Sequence, residues 1–274
     1  MTGDFRDWIG RSLTREDVAA PRLLAEFRAT LHPFLFADAH TACPPGFHLC
    51  LAPAIPLPED TGPDGAERKG LFLPPIPLSR RMWAGGAIET LRPLSAGAAV
   101  TRRSVISDIR LKQGTTGPLW LVSIQHEISD AQGLALRERQ DLVFRDAASA
   151  ALAGGGPAQV LAADWIIEAS PLLLFRFSAV TFNGHRIHYD HGYAAEEGYP
   201  GPLVHGPLQA VLMLNLASVR RGAVPRRFDY RCLAPLPGGG RFGVASDADA
   251  TVLRVLRSDG VVTAEALASG DDAG

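Results

Sequence analysis

The sequence predicts an α+β fold made of two similar halves. Three observations carry this expectation. Val18–Leu31 and Val204–Val219 each read as a helix, the first because Leu23, Leu24, Phe27 and Leu31 recur at helical spacing, the second as an almost wholly apolar run. Each is followed by several short runs bounded by turn residues, which suits antiparallel strands. A small-residue stretch, Ala147–Pro157 (AASAALAGGGP), falls between the two sets and reads as a boundary. The expected division is a first unit over 1–148, a linker over 149–160 and a second unit over 161–274.

The elements follow in order. After the first helix, Pro53–Gly70 is rich in Pro, Gly and charge and reads as an exposed loop. Val105–Leu111 is a strand. Leu119–Ile128 and Leu134–Phe144 form a pair joined at Asp130–Gly133, a turn sequence. In the second half Leu172–Ala179, an apolar run interrupted by Arg176 and Ser178, reads as a strand that buries Phe175 and Phe177. The apolar helix comes next, buried on all sides as a helix wrapped by a curved sheet would be. Strands are expected at Arg227–Leu233, Arg241–Ala245, Thr251–Arg257 and Val261–Leu267. The last two are joined by the hairpin signal Ser258-Asp259-Gly260.

Composition narrows the function classes. The 27 basic and 29 acidic residues leave a formal charge of −2, so no electrostatic argument favours nucleic acid or an anionic membrane as partner. All but two of the basic residues are arginine, a side chain suited to carboxylate and phosphate but also favoured by GC-rich codons. Cys43, Cys50 and Cys232 are too few and scattered for a disulfide framework, and Cys232 reads as core rather than nucleophile. Leu203–Val219 is interrupted by polar residues and is short of the roughly 20 residues of a membrane span. Met1–Arg11 carries Asp4, Arg6 and Asp7 and lacks the apolar core of a signal peptide. A cytoplasmic location is expected.

Chemistry concentrates between positions 177 and 207, where four of the eight histidines lie (His185, His188, His191 and His205). The segment is polar, aromatic and punctuated by Gly and Pro, the kind of loop on which scaffolds present reactive groups. Three readings compete. A metal site could use His185, His188 and His191, with Asp190 as a further ligand, but their spacing spreads them around a helix and no HExxH pattern is present. In the second reading, His188 moves a proton while Asn183 orients a water. The helix start at His205-Gly206 then offers a free N–H to a developing oxyanion. In the third, the histidines and tyrosines only tie down a loop. The combination of His188, Asn183 and Gly206 favours the second.

Phe177–Asp190, followed by YPGPLVHGPLQA (Tyr199–Ala210), resembles the MaoC-like, or R-specific enoyl-CoA hydratase 2, family. Leu73–Gly86 (LPPIPLSRRMWAGG) looks like one branch of it, the double-hotdog hydratases acting on mesaconyl-C4-CoA (3-methylfumaryl-CoA) or itaconyl-CoA. That branch is also similar to mitochondrial type 2 hydroxyacyl-thioester dehydratases. The likeness covers most of the chain. It implies two fused hotdog units, each a central helix wrapped by an antiparallel sheet, with the hydratase motif in the second and a degenerate first unit that widens the acyl pocket.

The family pattern places an acidic residue five positions before a catalytic His. The His falls on His188, and the acidic position is occupied by Asn183, which cannot take a proton. Asp190 is a candidate substitute carboxylate. The oxyanion donor falls on the Gly206 N–H. The implied reaction is reversible hydration of a short branched dicarboxylic enoyl-CoA to citramalyl-CoA, with no cofactor beyond the coenzyme A of the substrate. Arg186, Arg80 and Arg81 are candidates for the substrate carboxylate, with Trp83 and His205 lining the acyl site and Arg226, Arg227 and Arg231 holding CoA phosphates. A dimer of double units is compatible with this reading. A fatty-acyl-type 3-hydroxyacyl-thioester dehydratase, a thioesterase and a non-catalytic acyl-CoA-binding protein are the alternatives.

Overall fold

A computed structural model describes residues 4–36, 42–114, 117–146 and 162–270. The first half contains β1 (Ser12–Val18), α1 (Pro21–Leu31), β2 (Arg80–Thr90), β3 (Ala99–Gly114), β4 (Gly117–Asp130) and β5 (Gly133–Arg145). The second contains β6 (Trp165–Glu168), α2 (Pro171–Val180), α3 (His191–Glu196), α4 (Gly206–Arg221), β7 (Arg227–Cys232), β8 (Arg241–Ser246), β9 (Val252–Arg257) and β10 (Val262–Ser269). All ten strands join one antiparallel sheet in the order β1-β3-β4-β5-β2-β7-β10-β9-β8-β6. The order of elements is the same from either end, with β2 and β7 paired at the centre from Gly85–Arg231 to Glu89–Arg227. The repeat expected from the sequence is thus a pseudo-twofold about that seam. The expected linker over 149–160 lies outside the described residues.

The sheet curls around α4, in which every residue from Pro207 to Ser218 is buried. A helix apolar on all sides is stable only where protein surrounds it. Its three buried polar residues are satisfied, Ser218 Oγ by donating to Leu214 O at 2.8 Å. Gln209 Oε1 accepts from Thr263 Oγ1 at 2.7 Å, and Asn215 donates to Pro45 O at 2.9 Å and accepts from Phe36 N at 2.9 Å. The halves are unequal here. Where the second half has α4, the first has only a short 3-10 turn, Phe47–Cys50, whose Phe47 packs into the same core.

Two assignments change. Leu172–Ala179 is not a strand but most of helix α2. Ser170 Oγ accepts the Leu173 N–H at 3.2 Å, Pro171 opens the helix, and Leu174, Phe177 and Val180 are buried at three-residue spacing. Phe177 is core, but Phe175, two residues away on a helix, is 65% exposed. The first helix begins at Pro21 rather than Val18, because residues 12–18 pair with β3 as the edge strand β1. No helix among the described residues is long and apolar enough to cross a membrane.

Candidate active site

The motif segment runs from the end of α2 to the start of α4. Phe182 takes φ +50, a left-handed turn that redirects the chain out of α2. Asn183 Oδ1 then accepts the His185 N–H at 3.0 Å, and a 3-10 turn, Arg186–His188, presents His188. His188 Nδ1 lies 2.9 Å from Leu203 O. A carbonyl can only accept, so Nδ1 carries the proton and Nε2 keeps a basic lone pair. The ring stacks on His205 with centroids 3.6 Å apart and planes 20° apart. His205 is in turn held by Ser178 Oγ at 2.8 Å and by the edge of Phe177 at 4.9 Å.

Electrostatics keep this pair neutral. Burial, reinforced by neighbouring His185, pushes His188 down to about 3. Burial likewise holds His205 well below its ordinary value. Gly206 is the first residue of α4, so its N–H has no carbonyl one turn back to receive it. Pro207 brings no second N–H to this end of the helix. A Cβ at position 206 would lie 3.0 Å from Cys232 Sγ and 3.6 Å from Trp83 Cβ, which explains the glycine. Trp83 is therefore beside the helix start, with its Nε1 donating to Tyr230 Oη at 2.9 Å.

His188, His205, Gly206 and Trp83 are thus brought together, but several sequence-based expectations need correction. His205 is 0% exposed and supports the ring of His188 instead of lining the acyl site. Asn183 caps its own loop, and no hydrogen bond joins it to His188 among the described residues. Asp190 is not a spare carboxylate: Oδ2 accepts from Arg186 at 2.7 and 2.9 Å, and Oδ1 caps α3 through the Tyr193 N–H at 3.0 Å. That pairing also occupies Arg186.

The other arginines are similarly engaged. Arg80 binds Glu197 at 2.6 Å, and Arg81 binds Asp64 at 2.8 Å. Arg227 forks onto Asp229 at 2.7 and 2.8 Å, Arg231 pairs with Glu265 at 2.6 Å, and Arg226 faces Glu89 at 3.5 Å. Arg226 and Arg227 also lie past the far end of the 16-residue helix α4, about 24 Å from Gly206 at 1.5 Å per residue.

Sequence reasoning missed the neighbours that act over long range: Ser178 under His205, and Asp64, whose loop read as solvent-exposed. It also missed a buried polar group in the first half. There His48 Nε2 lies 3.5 Å from Glu138 Oε2, with Arg102 and His126 nearby. Burial alone would raise the Glu138 carboxyl, yet His48, His126 and Arg102 bring it down to about 2. His48 lines a cavity of about 580 Å³ together with Gly46, Thr90, Leu214 and Val224. This cavity sits at the other end of α4, where the pseudo-twofold places the counterpart of the motif site. No group of three or more His, Cys, Asp or Glu converges as a metal site would require among the described residues.

The sequence profile of the hydroxyacyl-thioester dehydratase type 2 family matches residues 46–237, which include both motif blocks. The chain belongs to that family. It is 39% identical over 242 residues to a mesaconyl-C(4)-CoA hydratase of Chloroflexus aurantiacus, covering 86% of each chain. The crystal structure of HtdX from Mycobacterium tuberculosis superposes with a TM-score of 0.69 at 17% identity, covering 95% of this chain and 100% of that one. A second M. tuberculosis protein, described as a double hotdog fold, superposes with a TM-score of 0.53 at 14% identity, covering 95% and 96%. The palindromic sheet around α4 is that double hotdog, and family membership makes the protein a hydro-lyase.

Proposed function

We propose that the protein hydrates a short branched dicarboxylic enoyl-CoA, mesaconyl-C4-CoA or itaconyl-CoA, to citramalyl-CoA. The observation that carries this reading is the His188 imidazole. It is locked with Nδ1–H on Leu203 O and a basic Nε2, next to the free N–H at the start of α4. The 39% identical mesaconyl-C(4)-CoA hydratase supports the choice of substrate. The steps balance without another reactant. His188 Nε2 takes a proton from water as the water oxygen bonds to the β-carbon. The π electrons move onto the thioester oxygen, where the Gly206 N–H stabilises the enolate. The enolate collapses and its α-carbon takes the proton back from His188. Proton transfer and addition are the whole reaction, so the reading calls for no cofactor besides the coenzyme A of the substrate. The scheme fits mesaconyl-C4-CoA directly. Itaconyl-CoA, with its double bond β,γ to the thioester, needs that bond shifted first or a direct addition.

The test is mass spectrometry of purified protein incubated separately with mesaconyl-C4-CoA, itaconyl-CoA and crotonyl-CoA. Gain of one water on the C5 dicarboxylic thioesters alone is the expected result. Turnover of crotonyl-CoA instead would move the assignment to the fatty-acyl dehydratases, and release of free CoA would make it a thioesterase.

A dicarboxylic substrate needs a cation, and the three expected arginines are neutralised by their partners. Arg145, across the β2–β5 pair from Arg80, has a buried Nε with no hydrogen-bond partner among the described residues. Its charge also acts on Glu197 and on Tyr199, which packs against Ile187 of the motif turn. Arg145→Met should lower kcat/KM for the dicarboxylic thioester by about 10–100-fold, the worth of a charge-assisted hydrogen bond of about 1.5–3 kcal/mol. Equal loss on a monocarboxylic thioester such as crotonyl-CoA would show that Arg145 does not read the carboxylate.

A further inference from the structure

The loop that follows the 3-10 turn of the first half leaves Ile55, Leu57 and Pro63 in solvent, but at Asp64 and Gly65 it docks on the motif loop of the second. Contact is backbone to backbone. A Cβ on Gly65 would lie 2.1 Å from Gly184 O, and one on Gly184 would lie 2.6 Å from Gly65 O. The Arg186 N–H donates to Asp64 O at 2.8 Å. This docking puts the Asp64 side chain, 11% exposed, against the motif. Its Oδ2 accepts from Arg81 Nη2 at 2.8 Å and Nε at 3.2 Å, and its Oδ1 accepts from the Ala66 N–H at 3.2 Å. Burial by itself would raise the Asp64 carboxyl. Arg81, with help from His185, overrides that and holds it below the ordinary carboxylate range.

His185 faces this carboxylate. Its Nδ1 accepts the Ile187 N–H at 3.2 Å, so in the neutral ring the proton sits on Nε2. Nε2 lies 3.8 Å from Asp64 Oδ2. On its other contacts the His185 ring meets His188, centroids 5.7 Å apart, and Tyr193, 6.1 Å apart. The groups facing His185 are therefore Asp64, Arg81 behind it, His188 and Tyr193. One imidazole separates the Asp64 carboxylate from the catalytic base.

We propose that Asp64, contributed by the first half, is a positioning residue of the active site, supplying through His185 the carboxylate that position 183 lacks. The Ile187 N–H on Nδ1 sets the Nε2–H tautomer, and Asp64, facing that Nε2–H at 3.8 Å, holds the orientation of His185 electrostatically. Its negative charge offsets the positive charge that His188 gains on taking the proton from water. The first half is then an obligate part of the catalytic apparatus and not only a lost copy of it. This inference rests on the hydratase reading above.

Asp64→Asn keeps the size of the side chain and an acceptor for Arg81. In the full-length protein it should lower kcat by about 10–100-fold with KM moved by less than about threefold. In ¹⁵N–¹H spectra the His185 ring should show a single Nε2–H resonance in the wild type and a shifted or broadened one in Asp64→Asn. Asp64→Glu should recover part of both readouts and serves in its place should Asp64→Asn not fold. His185→Gln and Asp64→Asn together should lose little more than either alone, because they act as one unit. Losses that multiply, or His185 spectra unchanged in Asp64→Asn, would overturn the proposal. The spectra need no substrate, so failure of the hydratase reading would show as absence of turnover in wild-type protein with the Asp64–His185 coupling intact.

Discussion

His188→Ala should lower kcat by about three orders of magnitude, with kcat/KM falling by the same factor, while the chain remains folded. A general base positioned on the reacting proton is worth roughly 10²–10⁴-fold. The loss belongs in kcat because the imidazole gains its proton only in the transition state; the ground-state complex does not depend on that charge. Burial pushes His188 down to about 3, so the wild-type ring is neutral and competent throughout the usual assay range. A base with an ordinary imidazole pKa would lose activity below pH 6.5, whereas His188 should hold kcat/KM nearly level until the fold itself gives way. The side chain makes one hydrogen bond, to Leu203 O, and one ring stack, on His205, and belongs to neither the sheet nor α4, so the chain should still fold without it. His191→Ala, at an exposed ring three residues away on α3, is the control and should retain full rate. Retention of more than a tenth of wild-type kcat by His188→Ala would remove His188 from the mechanism.

The residues of this argument were not equally legible in the sequence. His188 and Gly206 could be read because each sits at a fixed offset within one contiguous motif. Strands β4 and β5, and β9 and β10, could be read because turn residues bracket each hairpin and neighbours in sequence pair in space. Helix α2 was misread because an apolar run of eight residues satisfies either period. Only the burial of Leu174, Phe177 and Val180, with Phe175 left outside, separates the two. The short edge strands β1 and β6 alternate in burial but not in hydropathy, Arg15 and Asp17 taking inner positions of β1, and were not anticipated. The arginines failed for a different reason. Whether Arg80 binds a ligand or neutralises Glu197 depends on a partner 117 residues away, and no local pattern encodes that distance. Asp64 is the same case: a Gly-Pro-Asp-Gly sequence signals a turn, and only tertiary docking on Gly184 turns it into a buried charge.

Acid should destabilise the fold well before the carboxylates titrate. Four histidines lie below their ordinary value. Three of them are His126 at about 3, from burial and Arg102; His188 at about 3, from burial and His185; and His185 at about 4, from burial. Burial also lowers His205. In the unfolded chain each returns to about 6.5. Between pH 6.5 and about 4 the unfolded chain therefore binds protons that the folded chain refuses, so stability falls as pH falls. Each group contributes up to ~1.4 kcal/mol per pH unit inside its window. Several acting together can consume a typical stability of about 5–15 kcal/mol within a few pH units. Glu138, at about 2, and Asp64 add to the loss only below about pH 4.5. Urea unfolding at pH 7.5, 6.5, 5.5 and 4.5 should show little change over the first step and a steepening decline thereafter. His126→Gln should shallow that decline by about one proton, since His126 is a buried hydrogen-bonding ring between Ser104 and Gln140 and a glutamine binds no proton. Stability that stays level from pH 7.5 to 5 would mean that these rings titrate near 6.5 in the folded protein too, and His188 would then lose its neutral Nε2 below that pH.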